Sequence, residues 1–168
     1  RAESDLSSVD KWVNSNRIEL NADKCTYMVF GLPKNGKSIT LDPLRIGQGL
    51  IHHVNSMKIL GVYIDENMSW STQTQFVSKK CYGSLSLLHP FKHILSTDSK
   101  KILVNAFVLS RINYASVVWL GKMNKSNLST VDRIFKSSAR FVLGLRKYDS
   151  VSNEICNDLQ WLFPRYMY

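Results

Sequence analysis

Apolar positions along the chain follow two different periods, and the change comes just after Trp70. Leu6, Val9, Trp12 and Val13 stand three or four apart, the spacing of one helix face. The run from Cys25 to Phe30 is β-branched and aromatic and predicts a strand. Gly31 to Lys37 has the composition of a turn, and Ile39 and Leu41 begin a second short strand that Asp42-Pro43 interrupts. Leu50 to Val54 and Met57 to Ile64 predict two more strands around Asn55-Ser56. Residues 1–68 therefore read as a helix followed by a small antiparallel sheet, with Asp65-Glu66-Asn67 as a hinge.

Residues 69–168 read as helical. Phe76, Val77, Tyr82, Leu85 and Leu88 form an apolar stripe that Pro90 ends. Thr97-Asp98 caps the next helix, with Ile102, Leu103, Ala106 and Leu109 turned inward. An apolar stretch runs from Tyr114 to Leu120 and stops at Gly121, and Asn124 to Leu143 carries a third helix. Strands and helices segregate along the chain, which makes the fold class α+β.

Composition adds three constraints. At 168 residues and 44% hydrophobic the chain has room for about one domain and can bury a core. No apolar run reaches the ~18 residues of a transmembrane helix, so no membrane partner is expected. Cys25, Cys81 and Cys156 are far apart and odd in number, which reads as reduced intracellular thiols rather than a disulfide or metal framework. Charge changes the picture more. Residues 1–70 hold eight Lys/Arg and eight Asp/Glu, whereas residues 71–168 hold fourteen against five, so the whole excess of +9 sits in the second half. That asymmetry points to a polyanionic partner for the helical part.

Gly31-Leu-Pro-Lys-Asn-Gly36-Lys37-Ser38 fits the phosphate-loop pattern in full. Such a loop must open into a helix whose N-terminus holds the phosphates. Ile39-Thr40-Leu41-Asp42-Pro43 is β-branched and ends on a helix breaker, so the segment is expected to be a hairpin turn, with no cofactor bound. His89 and His93 flank Pro90 without a third ligand, and His52 and His53 alternate across a strand, so neither pair predicts a metal site. The helix from Asn124 carries the clearest signal. At 100° per residue Arg133, Lys136 and Arg140 fall within an arc of about 60°. Leu128, Val131, Ile134, Phe135 and Val142 lie broadly opposite. One side enters a core while the other presents a row of cations suited to the phosphates of a nucleic-acid strand.

Taken together, the segments resemble the C-terminal part of a reverse transcriptase from a non-LTR retrotransposon of the jockey-like group. The stretch from Trp12 through Asn21 and Lys24 to Phe30 is similar to the block that ends the polymerase palm. Lys58-Ile-Leu60-Gly61-Val-Tyr-Ile-Asp65, with Ser69-Trp70, is similar to the primer-grip block. Ile112 to Trp119 and Val131 to Arg140 resemble the helical thumb and the region after it, and Trp161-Leu162 with Arg165 a later piece. Cys25 stands where the family has Thr. There is no Tyr-x-Asp-Asp and no Asp-Asp pair in the chain.

The resemblance implies residues 1–68 as the end of a palm and residues 69–168 as a basic thumb. It implies an RNA template and DNA primer duplex as partner, together with a missing N-terminal part of the polymerase. The metal-binding aspartates would lie before Arg1, a start that reads as a fragment, so this chain alone is expected to be inactive. Magnesium in a two-metal site is implied for the full polymerase and none for this chain. Lys24 matches the family's palm lysine, to which a proton-donor role is ascribed. Leu60 and Gly61 are primer-grip-like, and Arg133, Lys136 and Arg140 are the expected nucleic-acid contacts. A nuclear location follows from the resemblance alone. The competing readings are a stand-alone basic nucleic-acid-binding module derived from such an element, and a nucleotide binder using Gly31 to Ser38.

Overall fold

The computed structural model describes residues 2–31 and 41–162. Backbone contacts divide the chain into two compact units, Arg1–Met68 and Ser69–Tyr168. The class is α+β, with the described strands in the first unit and most of the helix in the second.

The first unit opens with helix α1 (Ala2–Ser15), which packs on a three-stranded sheet of β1 (Thr26–Tyr27), β2 (Leu44–Ile46) and β3 (Gly49–His53). The helix stands where its period predicts, yet Val13 is its one buried residue while Val9 and Trp12 are exposed. β2 and β3 form an antiparallel hairpin, Leu44 opposite Ile51 and Ile46 opposite Gly49, and turn the buried Ile46 and Ile51 inward. Gly49 is required there, because a Cβ would collide with the side chain of Ala22.

Three expectations for this unit need correction. The strand expected over Cys25 to Phe30 is two residues long and pairs parallel to β3, Thr26 beside His52, so the sheet is mixed rather than antiparallel. The run Met57 to Ile64 is not one strand but a hairpin of β4 (Ser56–Ile59) and β5 (Val62–Asp65), paired with each other and not with β3. Of the strand expected at Ile39 and Leu41, Ile39 lies outside the described residues and Leu41 is in no strand; β2 begins after Pro43, where the chain regains amide donors for a ladder. The expected turn over Gly31 to Ser38 lies outside the described residues apart from Gly31 itself. From Leu41 the described chain runs without helix into β2.

The second unit is helical: α2 (Ser71–Leu88), α3 (Thr97–Val104), α4 (Ser110–Asn113), α5 (Ser116–Trp119), α6 (Lys125–Leu143) and α7 (Ser152–Asn157). α6 packs against α2 and α3. α2 buries Val77, Cys81 and Leu85 at steps of four, while Tyr82 of the expected stripe is exposed. The helix gives way at Pro90 to one 3-10 turn, His89–Phe91. Ser96, not Thr97-Asp98, caps α3, its hydroxyl accepting from the Ser99 N–H at 3.2 Å. Ile102 and Ala106 are exposed rather than inward. Lys100 and Val104 already set the inner face of α3, and a π-helical turn, Asn105–Leu109, that joins α3 to α4 carries that face on to Val108 and Ile112 at steps of four. Helix α7 has no counterpart among the elements the sequence pattern predicts.

The Cys81 thiol donates to the carbonyl of Val108 in that π turn, Sγ to O 3.6 Å. Burial pushes this thiol from 9.0 up to about 11, against a weaker downward pull from Arg111. An unfolded chain ionises the thiol near its ordinary value. Between about pH 9 and pH 11 the unfolded state therefore binds fewer protons, and stability falls as pH rises by up to about 1.4 kcal/mol per unit. Denaturant midpoints measured across that window are expected to fall more steeply for the wild type than for Cys81→Ala. Parallel profiles would show that the thiol is not protected.

Candidate nucleic-acid interface

α6 begins where Asn124 accepts the N–H of Asn127 at 2.8 Å and ends at Gly144, whose φ of +73° is the left-handed turn that stops helices. Val131, Ile134, Phe135, Ser138, Ala139, Phe141 and Val142 are buried. Phe135 meets Trp161 edge to face, with ring centroids 6.4 Å apart. The packing of this side against α2 and α3 fixes which side faces water.

That outer side carries the three expected cations. Arg133 is exposed, and Lys136 and Arg140 are half-buried. They span seven residues, about 10 Å along the axis. Arg133 Nη2 donates to Thr130 Oγ1 at 2.9 Å, and Arg140 Nε donates to the Asp149 carbonyl at 3.0 Å. Both guanidinium groups are thus oriented by one bond each and keep further N–H donors. Ser126, Ser129, Thr130 and Ser137 fall on the same side at helical spacing and add hydroxyls of the kind that bond phosphate oxygens. The sequence held this signal, and attention to charge alone passes over it.

The fold also brings cations to Arg140 that spacing does not predict. Lys92, from the turn after α2, donates through Nζ to the Leu145 carbonyl at 3.2 Å. Lys92, Arg146 and Lys147 line one cavity of about 330 Å³ together with Arg140.

The other expected site residues lie in the first unit. Leu60 and Gly61 form the two-residue tip of the β4–β5 hairpin, with φ of +46° and +90°. Positive φ at both positions is the twist a two-residue hairpin needs. It costs a leucine roughly 1–2 kcal/mol, and Leu60 is also 89% exposed. A strained, solvent-facing apolar residue at a loop tip is the kind of feature retained for contact rather than stability. Lys24 ends a 3-10 turn, Ala22–Lys24, held by Asn21, and its side chain is exposed. His89 and His93 are exposed, and His53 meets Tyr27 edge to face at 5.4 Å. Among the described residues no three of His, Cys, Asp or Glu gather as a metal would require. No single helix among them is long and apolar enough to cross a membrane. In comparisons with known proteins, no protein family, curated protein or solved structure matches the chain.

Proposed function

We propose that this chain binds a nucleic-acid duplex through its phosphates, on the outer face of α6, as the palm end and thumb of an RNA-directed DNA polymerase of the non-LTR retrotransposon type. The observation that carries the reading is the division of α6 into a buried apolar side and an outer side bearing Arg133, Lys136, Arg140 and four hydroxyl residues. It lies in the half of the chain that holds the whole charge excess of +9. A row of cations at helical spacing meets successive phosphates without reading bases. The natural partner is then a template–primer hybrid, recognised by shape and charge. The exposed, strained Leu60 and its neighbour Gly61 supply an apolar contact of the primer-grip kind. Lys24 is assigned the palm-lysine role of the resembled polymerases, completed by segments that carry the aspartates and magnesium. The resemblance places this work in the nucleus.

The test is a titration of the full chain with an RNA–DNA hybrid and a DNA duplex, each in two unrelated sequences, from about 50 to about 200 mM salt. Affinity is expected to fall linearly on a log–log plot, with the two sequences of each duplex type within about threefold of each other. Absence of binding at the lowest salt, or a tenfold preference for one sequence, would overturn the reading.

A further inference from the structure

The cavity of about 330 Å³ lies between the turn after α2 and the C-terminal end of α6. Four permanent cations line it, Lys92, Arg140, Arg146 and Lys147, with His89 at its wall and no carboxylate among the described lining residues. Asp149 holds two of these lining residues in place, its Oδ2 accepting the backbone N–H of Arg146 at 2.7 Å and its carbonyl the Nε–H of Arg140 at 3.0 Å. Lys92 and Arg140 are half-buried and held by carbonyls, Lys92 by that of Leu145 and Arg140 by that of Asp149. Those two bonds leave two ammonium protons and four guanidinium N–H groups for a ligand. Because the heads are already placed, little side-chain freedom is lost when an anion enters. The C-terminal end of a helix ordinarily repels anions. Here the four lining cations offset that repulsion, the Arg140 carbonyl accepts from Gly144 and Leu145, and the Leu145 carbonyl just past the helix accepts from Lys92.

A second cavity of about 450 Å³ shares His89, Ser137 and Phe141 with the first. It adds Tyr82, Leu85 and Pro90, and Tyr82 is 40% exposed. An inorganic anion makes no use of an aromatic and apolar wall beside its site. A nucleotide does, since its base stacks on a ring while its phosphate meets cations. The charge of the first cavity favours a phosphate monoester, which carries about −1.5 to −2 at pH 7 and has chain on one side only.

We propose that the paired cavities form a subsite for a strand-terminal nucleotide bearing a phosphate monoester, with its phosphate on Lys92, Arg140, Arg146 and Lys147 and its base against Tyr82. This rests on the reading of α6 as a nucleic-acid face, because Arg140 belongs both to the row and to the cavity. The strand tracked by Arg133 and Lys136 ends there.

The experiment compares RNA–DNA hybrids that carry a 5′-phosphate, a 3′-phosphate or hydroxyls at every end, bound to the full chain at about 0.15 M salt. One phosphorylated end is expected to bind about tenfold tighter than the hydroxyl-ended duplex, the gain of a charge-assisted contact set. Lys92→Gln with Arg146→Gln is expected to abolish that gain and leave hydroxyl-ended binding within about threefold, and Tyr82→Ala to reduce it. Arg146→Gln alone, at an exposed side chain, repeats the test without disturbing the packing around Lys92. Free nucleoside monophosphate and inorganic phosphate serve as competitors. Selective removal of the gain by the nucleotide supports the subsite, and equal removal by phosphate overturns the role of the base. If hydroxyl-ended duplex binds and end phosphorylation changes nothing, the subsite is refuted while the α6 reading stands. If no duplex binds but the free nucleotide does, both the α6 reading and the strand-end assignment fail.

Discussion

Changing Arg133, Lys136 and Arg140 together to Gln lowers affinity for an RNA–DNA hybrid on the order of a hundredfold near 0.15 M salt. Each phosphate contact contributes about 0.9 to the slope of log affinity against log salt on a B-form duplex, so three lost contacts flatten that slope by about 2.7. Carried from about 1 M down to about 0.15 M, a slope change of that size amounts to roughly two orders of magnitude. The loss falls alike on unrelated sequences, since phosphates carry no base information. Gln keeps helix propensity and length, and the opposite face of α6 holds the core, so the fold survives. The cost to stability is about 1 kcal/mol, from the bond Arg140 makes to the Asp149 carbonyl. Affinity and slope both unchanged, with the melt intact, would reduce the row to an idle solvated face.

Trp119→Ala removes the largest fully buried side chain of the second unit, and with it the Nε1 bond to the Tyr114 carbonyl at 3.0 Å. Emptying a buried tryptophan site costs about 3–5 kcal/mol. In a unit of this size each 1 kcal/mol moves the melting temperature by about 4–8 °C, so the helical transition drops by at least about 12 °C. Trp119→Phe fills most of the space and recovers roughly half of the loss. Circular dichroism melts of the full chain read both. A drop of only a few degrees in Trp119→Ala would mean that the α5 region is not part of the core.

What the sequence made legible was local. α6 could be read from Asn124 to Leu143 because cap, apolar period and the glycine stop agree, and its three cations emerge on the same side as their spacing requires. The β4–β5 hairpin could not be read, because its turn is Leu60-Gly61. Two-residue turns announce themselves through Asn-Gly or Asp-Gly, and here a leucine takes the left-handed position inside an apolar run. The parallel pairing of Thr26 with His52 joins residues far apart in the chain and leaves no local trace. A stripe drawn through Ile102 and Ala106 predicts both inward, whereas the buried face runs Lys100, Val104, Val108 and Ile112 at steps of four through the π turn at Asn105–Leu109. The cavity cations fail to appear for the same reason as the parallel pair. Lys92 meets the end of α6 only through packing, 48 positions before Arg140, and no spacing rule links them.

Amide mapping of the isotopically labelled full chain, titrated with an RNA–DNA hybrid, tests the phosphate face most directly. Saturable shifts are predicted along the outer side of α6, at Ser129, Arg133, Lys136, Ser137 and Arg140, with the buried Ile134, Phe135 and Val142 moving least. Binding that perturbs only residues 2–68, and leaves the outer side of α6 unmoved at saturation, would contradict it.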